Sequence, residues 1–247
     1  TIHIEDRHID LVVENIRSIA ELLVRDDSKQ KGETNFDTVL NDFIECQTLQ
    51  QLVAMAGDSA VPRQIKIQIL QTFSILFQNI STEISIYSLM SGNHVNALIE
   101  TSFDLHDDEI LAYYCTLLKG LALRLTAKTA PFYINNRVKH VPLYTEAVKL
   151  FAHREGMVRT AVQTLILSVF QVEEPQLQKY ILERHVIFTY MACWLRDQWT
   201  RVERFARTGR SGEQSIQTVL EEHDDYLLFL EDILRLKPPA YADGHGQ

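Results

Sequence analysis

The chain is poor in glycine and proline, with nine and six in 247 residues. That scarcity leaves few tight turns and argues against a turn-rich all-β fold. Cysteine is scarcer still. Cys46, Cys115 and Cys193 are odd in number and far apart, and each lies in an apolar pattern. No C-x-x-C occurs, and the three are expected to be buried free thiols, which points weakly to a reducing, cytosolic compartment. No H-E-x-x-H, G-x-S-x-G or glycine-rich phosphate loop occurs either, so the common zinc, nucleophile-elbow and nucleotide signatures are missing. No cofactor is expected. No apolar run approaches the roughly 18 residues that suggest a membrane span. Basic surplus is absent as well: net charge is −9, which opposes non-specific binding to nucleic acid. The first residue is threonine, and the sequence is expected to be an N-terminal fragment of a longer protein.

What the chain has is apolar residues at 46%, enough to bury a sizeable core, arranged almost everywhere at helical spacing. "IDLVVENIRSIAELLV" sets Ile9, Val12, Ile16, Ile19 and Leu23 on one face. "AVPRQIKIQILQTFSILFQNIS" starts at Pro62, suited to a first helical position. It carries Ile65, Ile69, Phe73, Leu76 and Ile80, with Ile67, Leu70 and Phe77 as a second row. So broad a face predicts a helix held between neighbours. "STEISIYSLMSGNHVNALIE" reads as two short helices around Ser91-Gly92. "FDLHDDEILAYYCTLLKGLALRL" crowds Asp107, Asp108 and Glu109 into a helix start, where the helix dipole favours negative charge, and predicts a stripe of Ile110, Tyr114, Leu117, Leu121 and Leu125. Two helices near 142–152 and 155–171 flank the polar break "AHREG". A bend is expected near His185. The last helix is expected to bury Ile216, Leu220, Leu227, Leu230 and Leu234. Loops are expected near 26–35 and 206–214.

About ten such helices fit a compact bundle or a helical-repeat solenoid. The Val158-Arg159 opening of "EGMVRTAVQTLILSVF" has the character of a HEAT-type second helix. Asn79 follows Leu76 by three, as in the third helix of an armadillo repeat. The expectation is an all-α, irregular armadillo/HEAT-like solenoid, with residues 1–247 as one domain.

Few polar residues stand out. Asn79 is a candidate for hydrogen-bonding the backbone of a bound peptide, or simply an asparagine near a helix end. Between 137 and 159, Arg137, Lys139, Lys149 and Arg154 join His140, His153 and Arg159 in a locally basic tract. Such a tract can meet anionic lipid head groups or an acidic partner, and it also fits an ordinary solvated face. Arg159 occupies the place where HEAT repeats use arginine to tie neighbouring repeats. Trp194 and Trp199 with Arg196, Arg201 and Arg204 fit either an interfacial helix or core packing. Asp107/Asp108 and Glu221/Glu222 are adjacent pairs that point apart on a helix and read as solvated.

Four blocks, "NIRSIAELLV", "QILQTFSILFQNISTEISIYSLMSGNHVNALI", "FDLHDDEILAYYCTLLKGLALRL" and "PLYTEAVKLFAHREGMVRTAVQTLILSVFQV", resemble the FPL-domain family in order and spacing. "LEEHDDYLLFLEDIL" resembles a later part of it. The family's Phe-Pro-Leu reads Val141-Pro142-Leu143 here. A capping serine is replaced by His106, which weakens a capping box with Glu109. The resemblance implies a non-enzymatic, cytoplasmic scaffold, peripheral to endosomal and lysosomal membranes, acting in membrane traffic and in autophagy, including mitophagy. Its implied partners are other proteins of that machinery, among them a ubiquitin ligase. Three cysteines cannot build a RING-type zinc site, so ligase activity would lie elsewhere. The resemblance carries over no site residues.

Overall fold

A computed structural model of the protein describes residues 4–29, 39–135, 140–184, 186–208 and 216–236. They are all-helical: an isolated antiparallel bridge between Asn135 and His140 is the only β pairing among the described residues. Contacts group the chain into two compact units, Thr1–Glu146 and Ala147–Gln247.

In the first unit, a 3-10 turn (Asp6–His8) leads into α1 (Ile9–Lys29), followed by α2 (Val39–Glu45) and α3 (Thr48–Gly57). Then come α4 (Arg63–Asn79), α5 (Glu83–Met90), α6 (His94–Ile99), α7 (Asp108–Leu123) and the short α8 (Ala130–Tyr133). α4 is the central element, packed against both α1 and α7. Its two apolar rows are the reason. Ile65, Ile69, Leu70, Phe73, Leu76 and Phe77 are all at most 2% exposed, so α4 is sandwiched as its sequence predicts. α7 buries Ile110, Tyr114, Leu117 and Leu121, with Leu125 following beyond its end.

Side-chain polar groups finish the helix ends. Pro62 sits one residue outside α4, as its N-cap, with φ −56°. The N-cap of α7 is Asp107, not residue 106: its Oδ1 accepts from Glu109 N (3.0 Å) and Ile110 N (3.1 Å). The cap that His106 cannot supply is therefore supplied next door. Arg63 binds both Asp107 and Glu109, and its guanidinium holds the Asp107 carboxyl below the usual carboxylate range. Between α5 and α6, Gly92 takes φ +71°. A Cβ there would stand 2.8 Å from His94 Nε2, so the turn requires glycine.

The loop expected near 26–35 is helical over its first four positions. α1 continues through Lys29, and 30–38 lie outside the described residues. The reason is Asp27, which reads as a loop former but is 4% exposed. Its Oδ2 accepts from Ser81 N (2.8 Å), and its Oδ1 from Thr82 Oγ1 (2.6 Å). Burial alone would raise its pKa. The hydrogen bonds from Thr82, Ser81 and Ser85 outweigh burial, and the net shift is downward. Arg124, just past α7, donates to the carbonyls of Phe77 (2.6 Å), Gln78 (3.0 Å) and Ile80 (2.7 Å). It satisfies the open C-terminus of α4 with a cation, which the helix dipole also favours.

α9 (Pro142–Lys149) contains the boundary of the two units. The second unit continues with α10 (Gly156–Gln171), α11 (Pro175–Arg184), α12 (Val186–Thr208) and α13 (Ile216–Arg235). α11 ends at Arg184 and α12 starts at Val186; His185, where a bend is expected, lies outside the described residues. α12 runs to Thr208, past the start of the loop expected near 206–214, and 209–215 lie outside the described residues.

The register of α13 differs from expectation. Its buried positions are Val219, Tyr226, Phe229 and Ile233, while Leu220, Leu227 and Leu234 are 43%, 45% and 69% exposed. Aromatic packing decides the register. Tyr226 stacks on Trp194 with ring centroids 4.4 Å apart, and Phe151 lies 5.9 Å from Tyr226 and 5.7 Å from Phe229. A flat indole against a phenol, with a second ring at its edge, buries more apolar area than a leucine row there could.

Candidate functional site

The basic tract is built by the end of α9, the turn 150–155 and the start of α10. Lys149 occupies the last turn of α9 and is exposed, a favourable place for a cation. Arg154 is exposed in the turn, with Nε 3.5 Å from Glu155 Oε1. The turn is shaped by His153, whose Nδ1 accepts from Glu155 N at 3.1 Å. Met157 is 89% exposed beside it. Arg137 and Lys139 lie outside the described residues.

Two other basic residues of the tract are turned to carboxylates. His140 Nδ1 is 3.1 Å from Glu100 Oε1. Arg159 faces inward: its Nη1 donates to the carbonyls of His153 (2.9 Å) and Arg154 (2.8 Å), and its Nη2 to Glu222 Oε1 (3.0 Å). Arg159 is thus an internal tie, and its partner is on the last helix. Lys149 and Arg154 are the exposed Lys and Arg side chains of the described tract.

Glu222 was the residue least visible in the sequence. As half of an adjacent acidic pair it reads as solvated, yet its side chain is only 16% exposed. It lies near Arg159, Arg201 Nη1 (3.3 Å) and Gln198 Nε2 (3.4 Å). A small hollow of about 80 Å³ lies alongside, lined by Arg159, Glu222, Trp194 and Tyr226 among others. The Tyr226 hydroxyl is buried and finds no hydrogen-bond partner among the described residues. With two guanidiniums and an amide on one carboxylate, the cluster is built to hold helices together. The only sequence signal for it was Arg159, read as a tie without a partner.

Trp194 is half-buried and stacked on Tyr226, whereas Trp199 is 65% exposed, with its ring 6.0 Å from that of His223. Asn79 is exposed, and its Nδ2 donates to Ile75 O at 2.8 Å inside its own helix. A bound peptide would have to compete with that bond.

Of the cysteines, Cys115 is buried, and burial pushes its thiol up to about 11. Cys46 and Cys193 are exposed, which corrects the expectation that all three are buried. Cys46 lies in the turn between α2 and α3, and Cys193 lies on an exposed position of α12. Among the described residues there is no group of three or more His, Cys, Asp or Glu placed to hold a metal ion. No helix among them is long and apolar enough to cross a membrane.

The sequence profile of the FPL family, described as an uncharacterised conserved protein, matches residues 16–170. The chain is 35% identical over 231 residues to Protein CLEC16A homolog of Drosophila melanogaster, which covers 92% of this chain and 21% of that protein. It is 35% identical over 237 residues to Protein CLEC16A of Homo sapiens, covering 94% and 22%. Protein TRANSPARENT TESTA 9 of Arabidopsis thaliana is 34% identical over 182 residues, 72% of this chain and 21% of that protein. The chain spans about a fifth of the length of the curated relatives it matches.

Proposed function

The chain belongs to the FPL family, and from that premise we propose that it is a non-enzymatic scaffold acting in endosomal and lysosomal membrane traffic and in autophagy, including mitophagy. The family match is the observation that carries this reading. Helical surfaces support it physically, since protein contact requires area and complementarity and no reactive group. The partners are other proteins of that machinery, among them a ubiquitin ligase, and the place of action is the cytoplasmic side of endosomal and lysosomal membranes.

An armadillo/HEAT-like arrangement belongs to the same proposal. The sandwiched α4 and the inward Arg159 support it. The matched segment 16–170 runs through the boundary at 146/147, which favours counting both units as one FPL domain. The test is proximity labelling with the full-length protein. Endolysosomal and autophagy proteins should be enriched, and a labelled set without them would overturn the reading.

A second reading rests on the exposure of Lys149 and Arg154. In it, these residues with Arg137 and Lys139 meet anionic lipid. A few cations at such a surface contribute about 1 kcal/mol each, so the contact is weak and salt-sensitive. Flotation on anionic vesicles should exceed that on neutral ones at low salt. It should be lost in the Lys139→Glu, Lys149→Glu, Arg154→Glu variant. Equal flotation on both vesicle types would remove this reading.

A further inference from the structure

The packing of α13 leaves a second apolar row outside the core. Leu220, Leu227 and Leu234 recur at every seventh residue and are all at least 43% exposed. A seven-residue step drifts only about 20° around a helix, so the three form one seam along α13. Trp199 of α12, 65% exposed and edge-on to His223, stands at the side of this seam. On the other side, Asp224 and Glu231 follow the heptad step at the position flanking the leucines. Glu231 is paired with Arg235 at 2.6 Å, and Asp224 has no ion-pair partner among the described residues. From Ile216 to Arg235 the helix carries six carboxylates and one arginine.

We propose that this seam is a docking surface for an amphipathic helix of a partner protein, one with a leucine- or isoleucine-rich stripe flanked by lysine and arginine. The apolar row gives the contact its area, and the carboxylates beside it select the sign of the partner's flank. The same carboxylates disfavour the two other occupants. A second copy of the chain would bring Asp224 and Glu231 of both copies to one interface. An anionic membrane would meet an acidic rim. The inference rests on the scaffold reading and gives it a surface and a partner class.

The test uses the whole 247-residue chain and three labelled peptides of about three heptads each. The first has a leucine seam with lysine flanks, the second the same seam with glutamate flanks, and the third lysine flanks with serine in place of leucine. Fluorescence anisotropy should show binding of the first peptide alone. Affinity should fall at least about tenfold in a Leu220→Ser, Leu227→Ser, Leu234→Ser variant. An Asp224→Asn, Glu231→Gln variant leaves the leucines in place. It should bind more weakly than the parent and lose much of the salt dependence, which keeps the test valid if the leucine variant misfolds.

Equal binding of the glutamate-flanked peptide, or binding unchanged in both variants, would overturn the proposal. So would a dimer in sedimentation, or flotation on vesicles, that the leucine variant abolishes. Those results would assign the seam to a second copy or to a membrane. If these tests fail while proximity labelling still returns endolysosomal proteins, the scaffold reading stands and only this surface is lost.

Discussion

Arg159 Nη2 lies 3.0 Å from Glu222 Oε1, joining α10 to α13 across 63 residues of sequence. Both side chains are mostly buried, at 17% and 16% exposed. Removing one partner from such a pair leaves an uncompensated charge, whereas removing both does not. Glu222→Ala, which strands Arg159 and leaves Arg201 without its carboxylate, should destabilise the chain by about 3 kcal/mol. The Arg159→Met, Glu222→Met double variant should lose less than the sum of its single variants. Urea titration of the parent, Glu222→Ala, the two methionine single variants and the double variant checks this, and strict additivity would show that the pair is not coupled.

The helices of this fold were legible because their apolar residues follow one period. α4 and α7 bury the rows that spacing alone assigns to them. What the sequence hid are contacts between residues far apart in it. Asp27 and Glu222 sit in polar stretches that read as loop or surface, Arg124 sits in an apolar run that gives it no role, and each is engaged by a segment at least 20 residues away. α13 was misread for a related reason. It carries two apolar rows, and the leucine row looks the stronger by hydropathy. Which one turns inward depends on Trp194 and Phe151, on other elements, and no local rule places those rings. The basic tract was legible as composition. The fate of Arg159 within it depended on finding Glu222.

Arg124 closes the C-terminus of α4 through three carbonyls. The planar guanidinium donates from more than one nitrogen, which an ammonium on a single point cannot copy. Arg124→Met should cost about 1–3 kcal/mol, with Arg124→Lys restoring only part of it. Hydrogen exchange should show faster opening in the last turn of α4 in both variants. Full recovery in the lysine variant would reduce the role to simple charge.

Asp27 gives the chain an acid-sensitive tie. Its folded pKa is below the ordinary 3.8, so its contribution is present above that value and is lost as pH falls through the folded value. At neutral pH, Asp27→Asn should be less stable than the parent by about 1–3 kcal/mol, since an amide cannot accept every donor at this site. As pH drops below about 4, the two proteins should converge. A gap that stays constant into acid would mean that the ionised form of Asp27 has no special role.

Leu117 and Leu165 are 0% and 2% exposed, and Leu227, on the outer row of α13, is 45% exposed. Leu→Ala at the first two removes packed methylenes and leaves cavities, at a cost of about 2–5 kcal/mol each. The same change at Leu227 deletes side-chain atoms already half in water, and should stay within about 0.5 kcal/mol of the parent. Phe229→Ala, on the inner row two residues away, removes a ring packed on Phe151 and should cost about 3–5 kcal/mol. The contrast between Leu227 and Phe229 is the sensitive measurement, because a rotation of α13 would exchange their roles. If Leu227→Ala proved the more damaging of the two, the inner row would be the leucines. The seam would then be part of the core, unavailable to any partner.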